Sequence, residues 1–176
     1  MIRVVVACVA LLFVAPQDKK PEEGPSSKVP EIKALDHYVG TWEVEITDKN
    51  ASFAKSKSTA KWILDGRFVE QTGDVIAKDG SVAIRLKTLL TFDAKKNCFR
   101  SWIFTSDGSV TEADCVWDEK AKTMTSISKK VEGEGFTTTT ADFSEPGVES
   151  WKIVIKDAAD KVTAEITGKN TKERKK

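Results

Sequence analysis

Cys98-Phe-Arg-Ser-Trp-Ile-Phe-Thr-Ser-Asp-Gly-Ser-Val-Thr-Glu-Ala-Asp-Cys-Val-Trp117 is the stretch that decides the fold. Apolar and polar residues alternate on both sides of Asp107-Gly108. Residues i and i+2 share one face of a strand, so each arm carries two unlike faces. Asp-Gly tolerates the positive φ that a two-residue hairpin loop needs at both central positions. The stretch therefore predicts a hairpin in which Ser106 pairs with Ser109 and Arg100 lies opposite Cys115. On that register Cys98, Trp102, Phe104, Cys115 and Trp117 share a face, with Arg100 among them. Cys98 and Cys115 become diagonal neighbours and a disulfide candidate. Diagonal spacing is long for a bond that favours Cα atoms about 5.5 to 6 Å apart, so two buried free thiols are the alternative.

The same punctuation recurs on either side. Asp65-Gly66 and Asp79-Gly80 interrupt alternating runs, as do Asp93–Asn97, Asp118–Lys122, Glu145-Pro-Gly147 and Asp157–Asp160. Short connections at this spacing mean antiparallel neighbours. Strands are expected near 41–47, 57–64, 67–75, 81–92, 97–106, 109–117, 123–129, 135–143, 150–156 and 161–167. A meander of about ten strands either leaves two long edges open or closes on itself, and closure removes the aggregation hazard of an edge. The sequence thus predicts an all-β, up-and-down antiparallel β-barrel, with a two-sheet sandwich as its rival. One short N-terminal capping helix precedes it. Pro30 opens the helix, Ile32, Leu35 and Val39 fall on one side, and Gly40 ends it.

The ends read differently. Arg3 and the uncharged run Val4–Ala15, followed by Pro16, Gln17 and Asp18, have the layout of a signal peptide over 1–16. The run is too short for a permanent span, which takes about 20 residues. Residues 17–30 are rich in proline and charge and read as a flexible tether. The barrel is assigned to 31–168, and the basic stretch 169–176 is read as a frayed tail. An exported protein, periplasmic or extracellular, follows, with no stable membrane span after cleavage.

The 28 basic and 27 acidic residues leave a formal charge of +1. Losing Arg3 with the signal brings this to about zero, which disfavours nucleic acid as a partner because such binding depends on concentrated positive charge.

Gly40-Thr41-Trp42 sits between the helix and the first strand, the Gly-x-Trp placement of lipocalin-like (calycin) barrels. The stretches 35–42, Trp62-Ile-Leu-Asp-Gly-Arg-Phe68, Leu90-Thr-Phe-Asp93, Phe99-Arg-Ser-Trp102 and 117–123 resemble the bacterial secreted family known as domain of unknown function 1579. The resemblance covers about 31–130. It implies an exported lipocalin-like barrel in which the tryptophan plugs the closed end and often packs against a basic residue of a late strand. It implies no reaction. Haem-holding relatives use a barrel histidine, whereas the single histidine here is His37 on the capping helix, so haem is disfavoured.

Motifs for chemistry are sparse. His37 stands alone beside Asp36 and Tyr38 and reads as a helix surface residue. No Gly-x-Ser-x-Gly, Cys-x-x-Cys or Gly-rich phosphate loop occurs. No catalytic residue, metal ligand or cofactor is assigned.

Arg100 is the most informative polar residue, because a guanidinium keeps its charge on burial and needs an acid, a ring face or water. Trp42, Trp62, Arg100, Trp102 and Trp117 are the candidate cavity residues. The first functional expectation is a binding module for a small hydrophobic or amphipathic ligand, without catalysis. The alternative is a structural or protein-interaction domain of the cell envelope with a solid core. An enzyme is a third class, requiring Arg100, Arg85, Glu70 or Gln71 to converge on one pocket. Ligand identity and oligomeric state are not readable.

Overall fold

A computed structural model describes residues 30–47, 53–129 and 135–173. The signal peptide and most of the tether expected from the sequence lie outside these residues. A 3-10 helix, Pro30–His37, leads into β1 (Gly40–Ile46), β2 (Phe53–Ala54), β3 (Ser56–Ile63), β4 (Phe68–Ala77) and β5 (Val82–Asp93). The chain continues through β6 (Cys98–Thr105), β7 (Val110–Asp118), β8 (Thr123–Ser128), β9 (Phe136–Asp142), β10 (Val148–Lys156) and β11 (Val162–Lys172). Every pairing is antiparallel, and β1 pairs with both β3 and β11 while β4 pairs with β5. The ladder therefore closes as a ten-strand lipocalin-like barrel, with β2 as one extra strand. That strand prolongs β3 along β4 after a one-residue register shift around Lys55.

The helix is 3-10 rather than α, and its residues explain why. Ile32, Leu35 and Tyr38 recur at intervals of three, the 3-10 period, and all three are buried. Tyr38 N donates to Leu35 O to close the last turn. Two tryptophans tie this plug to the barrel. Trp42 Nε1 donates to Tyr38 O at 2.7 Å, and Trp62 Nε1 donates to Asp36 Oδ1 at 3.0 Å. The ammonium of Lys172, on the last strand, lies 5.1 Å from the Trp42 ring centre. Trp42 thus closes this end of the barrel and packs against a basic residue of the last strand. Around the plug, Val69, Leu90, Phe99, Cys115, Met124 and Phe143 form a continuous buried cluster.

Two expectations are corrected. The stretch 169–176 is not all tail: β11 runs to Lys172, and Lys169 pairs across it with Ser150. The β6–β7 register also differs by one residue. Phe99 lies opposite Cys115 and Arg100 opposite Asp114, so paired numbers sum to 214 instead of 215. The cause is the turn. Thr105 N donates to Ser109 O and Gly108 N to Thr105 O, which makes a three-residue loop in which Gly108, at φ 90°, carries the positive angle. Asp107 keeps a negative φ and caps the loop instead, its Oδ1 accepting from Ser109 N at 3.0 Å.

Because side chains alternate, a one-residue slip exchanges faces. Phe99, Ala113, Cys115 and Trp117 point inward, while Arg100, Trp102 and Cys98 point outward. The candidate disulfide between Cys98 and Cys115 is therefore absent, and the free-thiol alternative holds. Both thiols are free, on opposite faces of the wall.

Candidate ligand-binding cavity

The plug fills one half of the barrel interior, and the other half holds a cavity of about 510 Å³. That is within the roughly 300–1,000 Å³ of ordinary small-molecule sites. Strand alternation builds its wall. Val44 and Ile46 of β1 and Val75 of β4 project into it, joined by Ile84 and Leu86 of β5, Ile153 of β10 and Ile166 of β11.

Two glycines make room. A Cβ on Gly73 would come within 2.9 Å of Ser58 Cβ. A Cβ on Gly168 would come within 2.0 Å of the Trp151 ring, because the indole lies flat on its cross-strand partner.

Two hydrogen-bonded polar groups stand on the wall. Val44, Asn170 and Glu149 form one rung across β1, β11 and β10. Asn170 Nδ2 donates to Glu149 Oε2 at 2.6 Å, and Trp151 Nε1 donates to Asn170 Oδ1 at 3.0 Å. Gln71 Nε2 donates to Ser58 Oγ at 3.3 Å elsewhere on the wall.

Glu149 is only 7% exposed. Burial pushes its carboxyl up to about 7, against the opposing pull of the Asn170 hydrogen bond. A charge removed from water favours the protonated form in this way. Tyr38, beneath it in the plug, is held well above its ordinary value by its own burial and by Glu149.

The sequence-derived candidates lie elsewhere. Trp42 and Trp62 are buried in the plugged half. Trp117 packs at the rim of that half, 5.1 Å from the His37 ring and 6.2 Å from Phe143, with Nε1 donating to Glu119 Oε2 at 2.7 Å. His37 is half-buried there, and burial, then Lys122, lowers its proton affinity. Arg100 and Trp102 lie outside the barrel. The guanidinium is 4.7 Å from the Trp102 ring centre, pairs with Asp93 at 3.5 Å and Asp114 at 3.7 Å, and contacts Glu112. Arg100 and Trp102 border a second hollow on the outer wall, with Arg67, Phe92 and Asp93.

None of the five lines the cavity. The fifth tryptophan, Trp151, does, with Glu149 and Asn170. Of the residues an enzyme would have gathered, Gln71 faces the cavity, while Glu70 pairs outside with Lys87 at 3.0 Å.

No protein-family model matches the chain, and no curated protein matches its sequence. The class is set by architecture: a closed lipocalin-like barrel, plugged at one end, with an apolar chamber in the other half.

Proposed function

We propose that the barrel is a binding module that holds one small apolar or amphipathic molecule in the chamber opposite the plug. The observation that carries this reading is a largely apolar cavity of about 510 Å³ with the polar cluster Glu149–Asn170–Trp151 and the Gln71–Ser58 pair on its wall. Apolar walls supply affinity and a few fixed polar groups supply orientation. The test is displacement of an uncharged apolar dye, with native mass spectrometry of protein purified from its own host. Saturable dye binding is expected, and Ile153→Trp, which narrows the chamber, should weaken it. A folded protein that takes up no dye and carries no bound mass contradicts the reading.

Export is proposed with it, supported by the apolar run Val4–Ala15 behind Arg3. The mature N-terminus, sequenced from the native host, is expected near residue 17.

A second reading, a protein-interaction module of the envelope, draws on Val110, Val116 and Ile127, exposed on the outer faces of β7 and β8. Crosslinking in the host that recovers a partner through these positions would favour it.

A further inference from the structure

The cavity has an inward carboxyl with no cation among the described residues set against it, and this bears on what charge can enter. The inference rests on the binding function proposed above.

Glu149 Oε2 is used by Asn170, and Asn170 Oδ1 is used by Trp151. The amide is therefore held from both ends, with its NH2 turned to the carboxyl. Oε1 accepts from no described residue.

The other charged residues near the cavity are engaged elsewhere or stand at outward positions. Lys57 projects outward to Glu173. Asp74, which also borders the cavity, stands at an outward position of β4 opposite Arg85. Lys172, one inward step nearer the plug, has its ammonium over the Trp42 ring. Tyr38 faces Glu149 from the plug, and its buried phenol stays protonated. Among the described residues, Glu149 is thus a buried acid satisfied on one oxygen and charge-matched by nothing.

We infer that the polar end of the cavity ligand is a cationic hydrogen-bond donor, an alkylammonium seated on Glu149, and that fatty-acid carboxylates are disfavoured. A carboxylate entering here would meet another acid, with no positive group among the described residues to receive it. An ammonium would donate to the unused oxygen in a charge-assisted bond, at a carboxyl that is only 7% exposed.

The raised proton affinity of Glu149 gives the pairing a signature. Near neutral pH the carboxyl of the free protein is partly protonated, because it is pushed up to about 7. Docking of the ammonium favours the ionised carboxylate, so the Glu149 proton leaves to buffer as the ligand binds.

The test uses dodecylamine, dodecanol and dodecanoate, below their micelle concentrations, in dye displacement and calorimetry at pH 8. The amine is expected to bind about tenfold more tightly than the carboxylate, the increment of one charge-assisted hydrogen bond, with the alcohol between them. Glu149→Gln, near-isosteric, should bring the three together, and Gln71→Leu should leave their order unchanged. Calorimetry of the wild-type protein at pH 7 in buffers of different ionisation enthalpy should show proton release with the amine and none with the alcohol. Carboxylate binding equal to or tighter than amine binding, an amine preference that survives Glu149→Gln, or no proton release would each overturn the inference while leaving a binding module. Failure of all three probes, the uncharged alcohol included, would overturn the binding function and this inference together.

Discussion

Glu149 occupies an inward strand position of the kind that elsewhere in this wall carries valine or isoleucine. Keeping an acid there has a consequence in pH. The folded protein holds its proton up to about pH 7, whereas a carboxyl of ordinary affinity, near 4.5, has lost it well below. Between those values the folded state binds more protons than the unfolded chain, so this residue's contribution to stability falls as pH rises. The displacement corresponds to about 3 kcal/mol, present below pH 4.5 and lost above pH 7. Thermal unfolding of Glu149→Gln beside the wild type should show the variant gaining relative stability from pH 5 to pH 8; parallel curves would contradict the buried-acid assignment. Gly168 is the neighbouring test. A methyl there would drive into the Trp151 ring, so Gly168→Ala is expected to lose about 1–3 kcal/mol by overpacking and to shift indole emission. Gly80→Ala is the control for packing, since a Cβ there meets nothing within 4 Å.

The elements were legible in the sequence largely through their turns. Each interruption read from Asp, Gly, Asn or Pro falls between observed strands, and the strands differ from expectation chiefly in length. What the sequence concealed was parity. Asp-Gly serves a four-residue loop at Asp65-Gly66, where Leu64, Asp65 and Gly66 all have positive φ, but three-residue loops at Asp79-Gly80 and Asp107-Gly108, where only the glycine does. The dipeptide marks the turn without counting its residues, and one residue decides which face of β6 is wet. That slip carried Arg100 and Trp102 from the expected cavity to the outer surface. Glu149 and Asn170 were missed for a related reason. Their strands begin and end beyond the expected limits of 150 and 167, and inside those limits alternation had no polar residue to report. Extending the inward series of Trp151 and Ile153 back by one step reaches Glu149. At Gly80 and Gly108 the cost of a side chain is conformational, so Gly80→Ala and Gly108→Ala should each lower stability by about 1–2 kcal/mol in urea unfolding, with the fold retained.

At the scale of the whole molecule, the barrel divides into a half that is packed and a half that is hollow. The plug belongs to the first: Leu35 is fully buried at its centre, and the tryptophans of β1 and β3 bond to the helix backbone and to Asp36. The ladder is continuous through both halves, so hydrogen bonding does not distinguish them; side-chain contact does. Truncating Leu35 opens a hole among atoms fixed on every side, and Leu35→Ala should cost about 2–5 kcal/mol. Truncating Ile153 only widens a space that already exists, so Ile153→Ala should lose little beyond its transfer term, about 1–2 kcal/mol. Ligand should act in the reverse sense. A molecule that binds only the folded barrel adds about 2.7 kcal/mol at a hundredfold excess over its Kd, and it does so through the hollow half. Urea unfolding of both variants, with and without dodecylamine, should therefore show Leu35→Ala to be the less stable protein that keeps its full ligand increment. Ile153→Ala should be the more stable one, with an altered increment. Equal losses at the two positions would mean that the chamber is closed and packed in solution.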